Sequence, residues 1–513
     1  MVEDTQTCTN SQGFNKFQQI FWPIHSYELK KFLPMSMLVF CILFVYAMVR
    51  NLKDTFIQHY AICGGIELMP ILKLFFVMPA AFFAVILYTF CVNKFGSRKT
   101  FYIMVSLFIA FYTIFLLILL PNINRLQPGE ETVIYLQELC PDFLYYTIPC
   151  LTNWCYTLFY SVSEIWSTIA FSSLFWQFAN RITKEDEAKR FYPLYSLISS
   201  VGVMLSGGML SAMSKASGAE FERNVRVLIS LCILFAVATM VIFYYINAVI
   251  VPNPSLCDQS QLRLPSKKMQ KKGKIDVFEG IKMLFTVPYI GLIAVMIMSY
   301  GIADNLIETV WKAQLKITFP NPNSYSAMMG IQTIIVGALT ICITILSTYL
   351  LQKFSWKSCA FIAPFIMMTM GVPFFVLALY CNTGKMDFYG PIGITSAWIG
   401  LSVIALTRST KYCMFDAIKN MAYRPLDVDT KTKGQAAVEV IGGRSGKAGA
   451  SLITALLTNV ISVGSKITAH LYTIIPIFIF TVVGWIASVM KLGPKYEQKA
   501  AEYARKSAEF KEK

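Results

Sequence analysis

Several charged side chains lie inside stretches of sequence that are otherwise apolar. Glu164 lies in SVSEIWSTIAFSSLFW, Lys53 and Asp54 lie in NLKDT, and Glu308 lies in NLIET. A charge in such surroundings is costly unless it pairs with an opposite charge or faces water. Each residue therefore has a structural interpretation, as half of an ion pair or as a helix end in water. Each is also a candidate for binding a charged solute.

A second group of charges lies in a glycine-rich run near the C-terminus, KGQAAVEVIGGRSGKAGA. Its cations are Lys433, Arg444 and Lys447, and the last two must face a cavity or an anion if this run crosses a membrane. The glycines either permit close packing of helices or let an anion approach the backbone. A P-loop is excluded, because it requires Gly at 441 and Ser or Thr at 448, where this chain has Ile441 and Ala448.

The candidates are mostly cationic, and Lys73, Arg408 and Lys411 add further positive charge inside apolar stretches. Lysine binds phosphate as a point charge, and arginine binds it as a bidentate fork. These residues predict a small, multiply anionic and phosphorylated solute. The chain has 3 His, and its 13 Cys form no CxxC pair. Because the sequence also lacks a Walker motif and a catalytic triad, we expect no enzymatic activity, no metal and no other cofactor.

The composition indicates an all-α polytopic membrane protein. Of 513 residues, 56% are hydrophobic and 14% are charged, whereas soluble domains carry roughly a quarter charged residues. This balance excludes a soluble enzyme, a disordered chain and a disulfide-rich secreted domain. A hydrocarbon core about 30 Å thick needs about 20 apolar residues per helix. Twelve spans are therefore predicted, at 32–49, 66–92, 100–120, 144–175, 190–212, 226–251, 282–305, 326–350, 357–380, 391–415, 436–461 and 468–490. Division of 144–175 into two helices would change that number.

The positive charges predict the orientation of these spans. A net charge of +16 would suggest nucleic acid as a partner of a soluble protein, but here the basic residues concentrate in alternate loops and at both ends. Positive residues stay on the cytoplasmic side, so both termini are predicted to be cytoplasmic, with a lipid bilayer and no nucleic acid as partner. The cytoplasmic segments are then 1–31, the basic linker 252–280 and the basic tail 491–513.

Three short motifs recur in the same order in the two parts of the chain. Residues 51–55 read NLKDT and 305–309 read NLIET; 93–99 read NKFGSRK and 352–358 read QKFSWKS; 179–181 read ANR and 422–424 read AYR. This order predicts two parallel six-helix halves, 32–251 and 281–490. Such an arrangement is typical of major-facilitator-type transporters, which bind substrate near the bilayer midplane between the halves.

Nearly the whole chain resembles one known family, the non-mitochondrial ATP/ADP translocases of plastids and obligate intracellular bacteria. The resemblance is carried by WPIHSYELKKFLP, NLKDTFI, SEIWSTI, SLFWQFANRIT, DEAKRFYPL, YGIADNLIETVWKAQLK, SAMMG, STKYCMFDAIKNMAYRPLD and KGQAAVEVIGGRSGKAG. It implies a twelve-helix carrier that exchanges ATP for ADP across a bacterial inner membrane, importing host nucleotide. The transport residues that it implies here are Lys53, Glu164, Glu308 and a lysine of KTKG, Lys431 or Lys433.

The predicted mechanism is alternating access, in which two halves rock about a central site and act as a monomer. Lys53, Lys433, Arg444 and Lys447 are expected to neutralise the phosphates, while Glu164 and Glu308 balance these cations or pair across a gate. Tyr156, Trp166 and Asn305 are candidates for recognising the base.

Three alternatives stay open on the sequence. The first is a paralogue importing GTP, UTP or CTP by exchange or proton coupling, because the chain departs from common family patterns at SEIWST, KGQAA and GKAGA. The second is a carrier of phosphate or sugar phosphate. The third, from another class, is a polytopic membrane transferase using nucleotide-activated substrates, which would need an acidic metal-binding loop.

Overall fold

A computed structural model describes residues 24–183, 185–216, 221–254, 256–257, 277–382, 396–423, 425–426, 438 and 442–511. This part of the chain is almost entirely helical and contains no β-strand. A backbone in lipid must satisfy its own hydrogen bonds, and long helices do so within one segment. The all-α class that the composition predicts is therefore confirmed.

The N-terminal helices pack around a core that contains Trp166 and Tyr195, both almost fully buried. They are α1 (Leu29–His59), α2 (Leu68–Ile71), α3 (Met78–Ile114), α4 (Glu130–Leu139), α5 (Thr147–Thr152), α6 (Trp154–Trp166), α7 (Trp176–Ile182), α8 (Glu185–Ala216) and α9 (Phe221–Tyr245). π-helical turns join some of them, Leu72–Val77 between α2 and α3 and Ser167–Phe175 between α6 and α7.

The C-terminal helices pack around a core that contains Trp311 and Trp485, which are also fully buried. They are α10 (Val277–Thr286), α11 (Pro288–Thr318), α12 (Pro322–Lys353), α13 (Trp356–Asn382), α14 (Ser396–Thr410), α15 (Asp416–Ala422), α16 (Gly443–Leu456) and α17 (Leu471–Lys511). A π-helical turn, Lys411–Phe415, joins α14 to α15.

Eight helical stretches in the described residues are long and apolar enough to cross a membrane. One of them, Leu68–Leu126, covers two predicted spans, because Gly96 bends α3 with a φ of +78° that favours glycine. The predicted span 144–175 is a chain of shorter helices interrupted at Asn153, where ψ is +42°. The fold class is confirmed, whereas the number of twelve spans stays a prediction.

The outer surface of the bundle is apolar. Phe82, Phe83, Leu117 and Phe480 each expose more than six-tenths of their surface. Large exposed apolar surfaces mark contact with another apolar phase, and this one surrounds the long helices. It fits a bilayer around the bundle.

The N-terminal and C-terminal helices meet most closely where α8 crosses α12. A Cβ atom added to Gly207 would lie 2.6 Å from the carbonyl oxygen of Gly330, so only glycine permits this approach. Nearby, Thr55 and Ser326 hydroxyls lie 3.0 Å apart and Asn51 donates to Thr333 at 3.0 Å. These contacts lie toward the end of the bundle at which α1 ends, called here the distal end.

Ion pairs join two helices of the N-terminal set at the opposite end of the bundle, called here the proximal end. The Arg190 guanidinium donates to both oxygens of Glu28, at 2.8 and 2.6 Å. Lys31 pairs with Glu187 at 2.6 Å and also donates to the carbonyl oxygen of Leu256 at 2.9 Å. These bonds fix the start of α1 against the start of α8, which explains why WPIHSYELKKFLP and DEAKRFYPL carry charges.

Candidate functional site

The polar residues at the end of α1 face the centre of the bundle. Asn51, Lys53, Asp54 and Thr55 are all buried, although they follow the apolar part of the helix. Asp54 is fully buried and accepts two charged hydrogen bonds, from Lys53 Nζ to Oδ1 and from Lys312 Nζ to Oδ2, both at 2.7 Å. The interpretation of these charges as halves of an ion pair therefore holds for Lys53 and Asp54. The partner from α11 makes it a bridge between the N-terminal and C-terminal helices.

Glu308 collects cations from three helices. Its Oε1 pairs with Lys312 at 2.8 Å and with Arg50 at 3.3 Å, and its Oε2 pairs with Arg408 at 2.7 Å. Arg408 also lies 3.7 Å from Asp304. Breaking one member of such a buried network leaves the others uncompensated. Glu308 is thus an interior ion-pair partner rather than a helix end in water.

Glu164 lies on α6 at the edge of this network. Its Oε1 lies 3.0 Å from Lys53 Nζ, and its side chain retains 29% of its exposure. The Lys53 ammonium also lies 3.8 Å from the centre of the Tyr160 ring, a distance at which the ring attracts a cation. Lys73 and Lys447 lie within electrostatic range of the same carboxylate. The residues that these ion pairs connect are called here the central charge cluster. They are Arg50, Lys53, Asp54, Glu164, Asp304, Glu308, Lys312 and Arg408.

The cluster follows the internal repeat of the sequence. Asp54 of NLKDT and Glu308 of NLIET occupy matching places, and both accept from Lys312. In the N-terminal helices Lys53 of α1 pairs with Glu164 of α6; in the C-terminal helices Glu308 of α11 pairs with Arg408 of α14. The same pair of helices is joined in both parts, with the charges reversed.

The glycine-rich run is described in part. Lys433 lies outside the described residues. Arg444 lies in the first turn of α16, but its side chain also lies outside them. Lys447 is exposed although it lies inside a helix, and Gly446 packs against α11, where a Cβ would lie 2.8 Å from the Met298 carbonyl oxygen. Close helix packing therefore explains Gly446, while Lys447 is exposed.

Two of the three side chains proposed to recognise a base lie in the core. Tyr156 is 4% exposed and stacks on Phe56, and Trp166 is fully buried, its indole donating to the Ile42 carbonyl oxygen at 3.0 Å. Both are packed against other residues here, and their part in recognising a base stays a prediction. Asn305 lies between the two sets of helices, where its Oδ1 accepts from Lys73 at 3.0 Å.

Sequence reasoning placed Lys53, Glu164 and Glu308 among the candidates, and the structure brings them together. It named Asp54 and Arg408 as charges in apolar stretches but gave neither them nor Lys312 a part in the phosphate site, although all three are central to the cluster. The repeat contained the missing signal, because it aligned Asp54 with Glu308. The described residues contain no group of His, Cys, Asp and Glu that could hold a metal. The geometry suits binding of an anion by displacement of carboxylates from cations.

The chain matches known transporters along nearly its whole length. Residues 7–496 match the family model of the TLC ATP/ADP transporter. An ADP,ATP carrier protein 1 of Rickettsia bellii is 34% identical, covering 96% of this chain and 98% of the relative. An ADP,ATP carrier protein 1 of Chlamydia pneumoniae is 33% identical over 96% of this chain and 97% of the relative.

Solved structures share the fold at much lower identity. A D-xylose-proton symporter superposes with a TM-score of 0.56 at 14% identity, covering 91% of this chain and 97% of its own. A bacterial homologue of the iron transporter ferroportin gives 0.56 at 10% identity, covering 91% and 100%. These similarities confirm the major-facilitator-like fold. The family match and the relatives show that the chain belongs to the TLC ATP/ADP transporter family, and so is a transporter and not an enzyme.

Proposed function

We propose that this chain exchanges ATP for ADP across the inner membrane of an intracellular bacterium, importing host nucleotide. The observation that carries the proposal is the central charge cluster, in which four cations are held by four carboxylates between the two sets of helices, in a chain of this family. ADP,ATP carrier proteins of Rickettsia and Chlamydia resemble it over their full length. Nucleotides are multiply anionic, so their phosphates can replace these carboxylates as partners of the interior cations.

The mechanism that the geometry supports is alternating access. Lys53 and Lys312 neutralise phosphate when their carboxylate partners release them, and Glu164 and Glu308 hold the cations while the site is empty. Lys447 is already open to solvent. Lys433 and Arg444 complete the proposed phosphate site.

Exchange follows from the cost of opening an empty carrier. Opening the distal end separates Lys312 from Asp54 and Arg50 from Glu308, each pair joining the N-terminal to the C-terminal helices. Separating buried ion pairs without replacement costs several kcal/mol. Nucleotide phosphates offset this cost by replacing the carboxylates, so a loaded carrier reorients faster than an empty one.

We also propose an orientation in the membrane, a division into two halves and an oligomeric state for the protein. Both termini and the linker 252–280 are assigned to the cytoplasm, the two six-helix halves span 32–251 and 281–490, and the carrier acts as a monomer in the bilayer. Positive residues favour the cytoplasmic side, which supports this orientation. The central charge cluster lies within one chain, so a single copy supplies both walls of the site.

The experiment is uptake of labelled nucleotides into intact bacteria that express the protein. Labelled ATP should enter, unlabelled ADP should compete, and efflux of preloaded label should require external nucleotide. ATP and ADP differ by about one charge, so exchange should respond to membrane potential. Preferential uptake of GTP, UTP or CTP, or uptake abolished by an uncoupler, would assign the chain to another nucleotide or to proton coupling. Inhibition by sugar phosphates but not by nucleotides would overturn the proposal.

A further inference from the structure

Lys73 differs from the other interior cations. Lys53, Lys312 and Arg408 each contact at least one carboxylate at 3.0 Å or less. Lys73 donates instead to the neutral amide oxygen of Asn305 at 3.0 Å, and no carboxylate among the described residues lies within ion-pair distance of it. A neutral amide is a weak partner for a buried ammonium compared with a carboxylate. Among these four interior cations, Lys73 is therefore the one that an incoming anion meets with least competition.

The position of Lys73 suits contact with a bound solute. It lies in the π-helical turn Leu72–Val77, and such turns occur frequently at functional sites. Its side chain is half-buried, whereas Lys53 and Lys312 are 2% exposed. An anion in the space between the helices thus reaches Lys73 without first opening the Asp54 pairs.

A second lysine faces the same region from the C-terminal helices. Lys447 of α16 is exposed and, among the described residues, makes no ion pair within contact distance. The helix that carries it packs against α2 and the following π-helical turn, which carries Lys73. Both lysines lie within electrostatic range of Glu164. One half of the bundle therefore contributes Lys73, and the other contributes Lys447.

We propose that Lys73 binds the phosphate chain of the transported nucleotide, opposite Lys447, and that Asn305 holds its ammonium while the site is empty. This inference rests on the proposed function and adds to it a phosphate-binding residue. Phosphate offers charged oxygens in place of one amide oxygen, so binding releases Asn305 and loosens a contact between the two sets of helices. Substrate binding and the start of reorientation are then coupled at one residue.

The test is ATP/ADP exchange by purified carrier in liposomes loaded with ADP, measured against external ATP concentration. Lys73→Gln should raise the half-saturation concentration for ATP about tenfold to hundredfold, the scale of a hydrogen bond to a charged group. Lys73→Arg keeps the charge and should retain most of the affinity. Lys94→Gln is the matched control, because Lys94 lies further along the same helical stretch and is exposed. Lys94→Gln should leave the half-saturation concentration for ATP unchanged.

Asn305→Asp separates phosphate binding from a merely structural contact. It gives the Lys73 ammonium a carboxylate partner, which competes with phosphate more strongly than an amide does, so the half-saturation concentration for ATP should rise in this variant. Adding Asn305→Asp to Lys73→Gln should cause no further rise, because the competing ammonium is gone. Additive effects of the two substitutions would overturn the inference, as would an unchanged value in Lys73→Gln. Loss of folded protein in both Lys73→Gln and Lys73→Met would do the same by assigning Lys73 to stability. Wild-type carrier that exchanges no ATP for ADP would instead overturn the proposed function.

Discussion

Asp54 joins the two sets of helices, because its Oδ2 accepts from Lys312 Nζ at 2.7 Å while its Oδ1 accepts from Lys53 at 2.7 Å. The carboxylate is fully buried, and both lysine side chains are 3% exposed. A charge buried in this way is stabilised by its ion-pair partners rather than by bulk solvent, so each member of the trio depends on the other two. Asp54 is therefore the residue on which the closed distal end depends most directly.

Asp54→Asn should destabilise the closed carrier strongly. It leaves Lys312 with Glu308 alone and Lys53 with Glu164 alone, and breaking a buried pair by removing one partner costs about 3–5 kcal/mol. Thermal unfolding of the purified protein in detergent measures this loss. The double variant Asp54→Asn with Lys312→Gln should recover part of it, because it also removes a stranded cation.

The control for this prediction is an exposed pair. Glu222 and Arg226 lie one helical turn apart at 2.6 Å, each about half exposed, and such pairs contribute about 0.3–0.5 kcal/mol. Glu222→Gln should leave the unfolding temperature almost unchanged. An equally small effect of Asp54→Asn would show that Asp54 does not hold the helices together.

The Glu28–Arg190 pair at the proximal end should make the stability of the fold depend on pH. Burial alone raises the pKa of Glu28, but hydrogen bonds from Arg190 and from the His25 backbone outweigh it and lower this pKa below its ordinary value. A carboxyl whose pKa is depressed by folding stabilises the fold above its unfolded pKa, and this contribution is lost as pH falls through the folded pKa. The gap in unfolding temperature between wild type and Glu28→Gln should therefore be largest near neutral pH and shrink on acidification. A difference in unfolding temperature that is independent of pH would contradict this prediction.

The sequence predicted the class of fold and part of the cluster for a physical reason. Burying a charge is costly wherever it occurs, so Lys53, Glu164 and Glu308 stand out in apolar runs without any knowledge of their partners. The partners depend on which helices meet. In the sequence, Arg408 follows Asp304 by 104 positions and Glu308 by 100 positions. Only the packing of α14 on α11 brings these side chains together.

The aromatic residues, by contrast, could not be assigned a role from the sequence. Tyr156 and Trp166 suit a base as well as they suit a core, because the same flat apolar surface serves both purposes. Their burial is decided by the neighbouring helices, here through the Phe56 ring and the Ile42 carbonyl oxygen. Side-chain type alone therefore does not separate a binding wall from a core. A charge inside a membrane is more informative than a ring.

The proposed orientation predicts where a reagent reaches the linker 252–280. Lys267, Lys268, Lys271 and Lys272 lie in it, and such charges stay in the cytoplasm. A single cysteine at Gln270, in a chain whose native cysteines are replaced, should resist an impermeant maleimide in intact cells and react after the cells are opened. Reaction in intact cells would reverse the assigned orientation.

Gly207 and Gly208 offer a test of the closed distal end with a control one residue away. A Cβ at Gly207 would lie 2.6 Å from the Gly330 carbonyl oxygen and 2.9 Å from Thr333, whereas one at Gly208 meets nothing within 4 Å. Both substitutions to alanine gain helix propensity, by about 1 kcal/mol. Only Gly207→Ala clashes with a backbone atom, which cannot move unless α8 and α12 separate. It should therefore disfavour the closed distal end without unfolding either helix.

Cysteine reactivity at Ser326 measures that separation. Ser326 is fully buried in the closed end, beside Thr55. In purified protein without native cysteines, Ser326→Cys should react slowly with a maleimide. Adding Gly207→Ala should accelerate the reaction, because opening the α8–α12 contact exposes position 326, whereas adding Gly208→Ala should leave the rate unchanged. Equal rates in both double variants would mean that the glycine contact does not hold this end closed. Faster labelling with Gly207→Ala alone would tie closure to the close approach of the two helix backbones at Gly207 and Gly330.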